Sequence, residues 1–200
     1  MPVTQLVTSV GRAARPFPTY YTMNNAQNNW NTNPNPYPFD GTSYAFTGSL
    51  GSLSTLSINI WFRPSSTNTI LLNEQDSTTE STSYHYTMME INSSGYLYSR
   101  IWDGSGNIRL TSSGFVNLNQ WNHVYFQYSS STLSVNLNNS GASSISVTRQ
   151  APTETFIGVG PSDGTYMVTS NRYQGELGAL DISSTTAGSN YLTTKAEYGL

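Results

Sequence analysis

The chain has 200 residues and a net charge of -3, and charged side chains make up only 10% of it. Its Arg residues are scattered and Lys occurs once, at Lys195, so no basic face gathers phosphates, which argues against nucleic acid as a partner. Cys is absent, which excludes a disulfide framework and a Cys-based zinc site. No run approaches the ~20 apolar residues needed to cross a bilayer, so membrane insertion is not expected. The first twenty residues lack an apolar h-region, and no secretory signal peptide is expected.

Ser, Thr and Asn exceed a third of the chain and Tyr occurs 14 times, a composition suited to strands with hydroxyl-rich outer faces. Residues 1–38 differ from the rest. Within them Asn24 to Pro38 reads NNAQNNWNTNPNPYP, and Pro34, Pro36 and Pro38 bias their predecessors toward extended backbone. This stretch is expected to be an extended arm or irregular loop. Phe17, Tyr20, Tyr21, Trp30 and Tyr37 are too many aromatics for a solvating tail and are the candidate subunit contacts. The arm is expected to dock on its own domain or on a neighbour.

From Phe39 strands are predicted in quick succession, at Ser43–Thr47, Leu56–Arg63, Thr69–Asn73, Tyr84–Ile91, Tyr96–Trp102 and Ile108–Thr111. Further strands are predicted at Trp121–Tyr128, Thr132–Asn138, Ser144–Thr148, Thr155–Val159 and Gln174–Ile182. Turn residues that tolerate positive φ separate them: Asp40-Gly41, Asp103-Gly104, Asn139-Ser140-Gly141 and Asp163-Gly164. No convincing helical period follows Gly41. Leu133, Val135 and Leu137 share one face of their strand, while Ser134, Asn136 and Asn138 share the other. The run before it carries Val124, Phe126 and Tyr128 on one face and Trp121, His123 and Tyr125 on the other, which predicts a strand inside a sheet. Regularly spaced short strands imply two packed antiparallel sheets.

Four ordered phrases resemble the laminin-G-like branch of the concanavalin A-like lectin and glucanase superfamily. They are Phe39-Asp40-Gly41-Thr42-Ser43-Tyr44, the strand Leu56 to Pro64, the Trp121 and Leu133 pair, and Phe156-Ile157-Gly158-Val159-Gly160 leading to Tyr173 through Ile182. The resemblance implies an all-β jelly-roll sandwich of two curved antiparallel sheets over 39–183, with an extended N-terminal arm (1–38) and a C-terminal tail (184–200). Where the family usually shows Asp-Gly after the Leu137 strand, this chain has Asn138-Asn139-Ser140-Gly141. Relatives so implied include glycan-binding lectins, adhesion modules, virion proteins and some glycosidases, and the fold does not choose among them.

Retaining glycosidases place two carboxylates about 5–5.5 Å apart in one cleft. The nearest pattern here, Glu74-Gln75-Asp76 with Glu80, has polar intervening residues and an overlong spacing. Glu176 and Asp181 are an odd number apart and face opposite sides of a regular strand. Catalysis is not expected. His123 and His85, the only imidazoles, lack orienting partners in the sequence and read as structural. No cofactor is required; by resemblance calcium is the candidate ion, with Asn73, Glu74 and Asp76 in one loop, and Asp103 with Asn107 in another, as its candidate ligands.

Tyr96, Tyr98, Arg100 and Trp102 occupy alternate positions of one strand and are the candidate glycan contacts; Trp30 and Tyr166 are further potential stacking platforms. The function expected first is a non-catalytic virion protein, on a capsid or tail surface, docking on neighbouring subunits through its arm and forming a homo-oligomer or larger assembly. A lectin or adhesion module for cell-surface glycans is the alternative, and a glycoside hydrolase or lyase is the third reading.

Overall fold

The computed structural model describes residues 21–24, 27–31, 37–41, 45–46, 49–76, 85–159 and 172–200. Strands β1 (Tyr21–Asn24), β2 (Gln27–Asn31), β3 (Tyr37–Asp40) and β4 (Ala45–Phe46) precede the long β5 (Leu56–Pro64). Then come β6 (Thr69–Gln75), β7 (His85–Ile91), β8 (Tyr96–Trp102), β9 (Asn107–Phe115) and β10 (Asn122–Ser129). The sheets are completed by β11 (Thr132–Leu137), β12 (Ala142–Ser146), β13 (Phe156–Val159) and β14 (Gln174–Ser183). A single helical turn, α1 (Tyr191–Thr194), runs into a 3-10 turn at Lys195–Tyr198.

Two antiparallel sheets face each other in a jelly-roll sandwich. The larger sheet runs β1-β2-β14-β5-β10-β11-β12, with β3 also on β14; the smaller runs β4-β13-β6-β7-β8-β9. Period-two alternation decides the inner faces. Ile58, Ile60 and Phe62 of β5, Val124 and Phe126 of β10, and Leu133 and Val135 of β11 enter one core with Leu71, Leu72, Met88, Leu97 and Ile101 of the opposing sheet. Each such side chain contributes about 1.5–3 kcal/mol of burial. Positive φ at Gly41, Gly104 and Gly141 agrees with the turn chemistry expected there; Asp163-Gly164 lies outside the described residues.

The described part of the arm takes the extended alternative and docks on its own domain: β1 and β2 form a hairpin, and β2 pairs with β14 from Ala179↔Asn31 to Ser183↔Gln27. These strands have no apolar alternation because the β14 ladder, which offers unpaired backbone groups, supplies their order. The strand expected from Ser144 is shifted to Ala142–Ser146, and the one expected from Ile108 extends to Phe115. Asn73 and Glu74 lie not in a loop but inside β6, where every residue is buried.

The register of β14 shifts between Leu177 and Ala179, leaving Gly178 as a bulge. Glu176 pairs with Arg63 and Asp181 with Asn59. Because Arg63 and Asn59 are an even number apart on β5, Glu176 and Asp181 share one face, contrary to the expectation from their odd spacing. Four residues of strand still hold them roughly 13 Å apart, beyond either carboxylate separation used in glycoside hydrolysis.

Candidate functional site

Strand β8 alternates cleanly. Leu97, Ser99 and Ile101 are buried, while Tyr96, Tyr98, Arg100 and Trp102 remain half-buried on the opposite side. Its partner β9 is the edge of the smaller sheet and sets Phe115 beside Tyr96, Thr111 beside Tyr98 and Arg109 beside Arg100. The ladder skips between Tyr96 and Tyr98, where the Ser112 hydroxyl accepts from the Leu97 N–H (3.2 Å) and donates to the Gly114 carbonyl (2.7 Å). That irregularity presents Phe115, 58% exposed, with its ring centroid 4.2 Å from that of Tyr96.

Two arginines, Arg100 and Arg109, are paired directly across the ladder, with their guanidinium carbons 6.0 Å and 4.3 Å from the Tyr98 ring centroid. Like charges so placed are unfavourable unless something else compensates. Arg100 donates to Glu90 of β7 through Nη2 at 2.6 Å, and Arg109 lies over the Tyr98 ring, 4.3 Å from its centroid. The described ion pairs are Arg63–Glu176, Arg100–Glu90 and Arg149–Glu74, so Arg109 has no carboxylate partner among the described residues. The patch is aromatic and carries one more cation than anion. The expected row of Tyr96, Tyr98 and Arg100 does share one face of β8, and the ladders and the Glu90 ion pair add Phe115, Arg109 and Glu90 to it, because cross-strand neighbours follow from register and not from spacing within a strand. Trp102 departs from the row: it packs against the core from the strand's end.

Two of the ion candidates, Glu74 and Asp103, accept hydrogen bonds within the chain. Glu74 accepts from the Tyr86 hydroxyl on Oε2 and from Arg149 on Oε1, so both of its oxygens face donors, one of them a cation. Asn73 is fully buried in β6. Asp76 follows the end of β6. Asp103 Oδ1 accepts from the backbone N–H groups of Ser105 and Gly106, each at 2.8 Å, and from the Ser105 hydroxyl at 2.9 Å. The Ser105 bond leads the causes that hold this carboxyl below its usual range. Asn107 opens β9 opposite Trp102. Among the described residues no three His, Cys, Asp or Glu side chains gather as a metal cluster. Tyr21, Trp30 and Tyr37 fall in β1, β2 and β3; their side chains, and Phe17, Tyr20, Glu80 and Tyr166, lie outside the described residues, as does the side chain of His85.

A second cluster was not foreseen. The tail from Ser184 crosses the outer face of the larger sheet, where Trp61 is fully buried beneath Tyr198 (ring centroids 4.3 Å, 14°) and Tyr191 (5.6 Å, 16°). His123 Nε2–H donates to Asn190 Oδ1 at 2.8 Å, and Asn190 Nδ2–H donates to Asp181 Oδ2 at 2.7 Å. Burial pulls His123 down to about 4 and pushes Asp181 up to about 6. The expected structural histidine thus has an orienting partner, Asn190, distant in the chain.

These features define a lectin-like β-sandwich with a polar, aromatic outer surface. The chain belongs to the laminin G family described as the concanavalin A-like lectin/glucanases superfamily, whose model matches residues 39–189. Similar solved structures include the native heptameric SAP-like pentraxin of Limulus polyphemus, at 19% identity and TM-score 0.56, covering 82% of this chain and 77% of that one. Domains LG4-5 of the mouse laminin α1 chain match at 19% identity and TM-score 0.58 over 76% of this chain, which spans 41% of that structure. The CBM40 domain of Ruminococcus gnavus IT-sialidase matches at 13% identity and TM-score 0.57, covering 80% of this chain and 95% of that one. No curated protein sequence matches.

Proposed function

We propose that this is a non-catalytic glycan-binding module whose contact face is the outer surface of β7, β8 and β9, and that it prefers glycans carrying an acidic group. The observation that carries the reading is the Arg100–Arg109 juxtaposition over Tyr98, flanked by exposed Phe115. A carboxylate or sulfate placed between the guanidinium groups relieves their repulsion with charge-assisted hydrogen bonds. Phe115 and Tyr96 offer an apolar ring surface for the adjoining sugar. The similar CBM40 domain has been solved with α2,3-sialyllactose bound, an acidic glycan, at 15% identity and TM-score 0.55 over 72% of this chain and 83% of that one. A glycan array that includes neutral, sialylated and sulfated members tests this. Binding restricted to acidic members and weakened about 10–100-fold by Arg109→Ala is expected, since hydrogen bonds to charged groups contribute about 1.5–3 kcal/mol. A blank array, or binding that Arg109→Ala and Phe115→Ala leave unchanged, overturns it.

The second reading is a virion subunit that assembles through the arm. It is supported by the low charge, the aromatic arm and the position of β1 as the terminal strand of the larger sheet, an edge on which another chain can pair. Deletion of residues 1–38 should then abolish a symmetric assembly seen with the whole chain; a monomer indifferent to the deletion counts against it.

A further inference from the structure

The tail is held as a ligand is held. No residue of 184–200 belongs to the core between the sheets, and Tyr198 is its one buried apolar side chain among the described residues. The tail joins no described strand ladder. Instead, sheet side chains read its backbone. Asn59 Nδ2 donates to the Gly188 carbonyl at 3.1 Å while its Oδ1 accepts from the Asn190 N–H at 3.0 Å. Ser57 does the same one step away, donating to the Thr185 carbonyl at 2.9 Å and accepting from the Ala187 N–H at 3.2 Å. The Tyr125 hydroxyl donates to the Ala187 carbonyl, and Trp61 Nε1–H to Thr194 Oγ1 at 2.8 Å. Asn190 is gripped at both ends by His123 and Asp181.

We propose that the outer face of β5, β10 and β14 is a peptide-binding site occupied in cis by residues 184–200, and that it accepts the same segment from a second copy of this chain. Ser57 and Asn59 each take a carbonyl and the N–H two residues further along the tail, which recognises its backbone path, and the Asp181–Asn190–His123 grip selects an Asn at one position. Complementarity to this one sequence identifies the occupant as another copy's tail. Exchange of an identical element between protomers makes no new kind of contact. A short tether gives the cis tail an effective concentration of about millimolar, so exchange in trans needs crowded protein or a weakened cis tail.

The full chain bearing Asn190→Ala provides that weakened tail. A labelled peptide of residues 184–200 should bind this variant saturably and at least about tenfold more tightly than it binds the wild-type chain, read by fluorescence anisotropy. The same peptide carrying Asn190→Ala should bind the variant at least about tenfold more weakly than the natural peptide, because one of the bonds it loses goes to a carboxylate. Absence of saturable binding of the natural peptide to the variant chain overturns the proposal. So does equal affinity for the natural and substituted peptides.

Discussion

Glu74 and Arg149 form an ion pair inside the sandwich, with side chains 0% and 1% exposed. Arg149 belongs to the segment that crosses from β12 to β13, and it also donates to the Leu53 carbonyl through Nη1. Its own N–H donates to the Tyr128 hydroxyl at 2.9 Å, so one residue joins both sheets to the crossover. Removing one partner of a buried pair leaves an uncompensated charge, at a cost of about 3–5 kcal/mol. Arg149→Met should lower unfolding stability in urea by that amount. Adding Glu74→Leu should recover most of it; a double variant no better than the single one would show that the pair is not the source.

The His123 and Asp181 shifts predict an unusual pH response. A His whose folded value is lowered from 6.5 to about 4 contributes stability that is present above pH 6.5 and lost as pH falls toward 4. An Asp whose folded value is raised from 3.8 to about 6 acts oppositely: its contribution is present below 3.8 and lost as pH rises through 6. Each amounts to about 3 kcal/mol. Between about pH 4 and 6 the folded pair holds one proton on Asp181 and the unfolded pair holds one on His123, so the two cancel. Tyr125, whose hydroxyl donates to the Ala187 carbonyl of the same tail, is kept protonated by burial. Relative to wild type, Asp181→Asn should lose stability between pH 6.5 and 4, and His123→Gln should gain it. Parallel urea midpoint curves for all three proteins would refute the cancellation.

Gly178 forms the bulge of β14, and a methyl group there would collide with the Tyr198 ring. Gly178→Ala should therefore loosen the tail while the core, which contains no tail residue, stays intact. Lys195 is the only Lys in the chain and lies in that tail, so a Lys-specific protease reports its opening directly. Faster cleavage with a cooperative urea transition and only a modestly lowered midpoint is expected; unchanged cleavage would mean that Tyr198 does not hold the tail down.

Phe115 is exposed at a sheet edge and lies outside the core cluster. Phe115→Ser should change stability by no more than about 0.5 kcal/mol, as surface substitutions usually do, while weakening acidic-glycan binding on the same array. A large stability loss would reassign Phe115 to packing on Tyr96.

Much of the sandwich was legible in the chain because strand alternation is local. The inner faces of β5, β10 and β11 follow from residues two apart, and β8 matches its expected bounds of Tyr96–Trp102. The face proposed for contact was half legible: the Tyr96, Tyr98 and Arg100 row lies within one strand, whereas Arg109 and Phe115 join it only through a ladder with an irregular register. The β1–β2 hairpin was illegible because its order comes from pairing with β14 and not from apolar alternation.

By itself the sequence determined the class of fold, the lack of any Cys for a disulfide, and which side of most strands faces inward, since composition and period two need no knowledge of distant neighbours. Tertiary structure alone decided the rest. It set Glu74 against Arg149, 75 residues away, turning a candidate ion ligand into half of a core ion pair. One bulge at Gly178 reversed the parity of β14 and brought Glu176 and Asp181 to the same face. Asn190, ordinary in sequence, became the link between His123 and Asp181 because the tail folds back over the sheet.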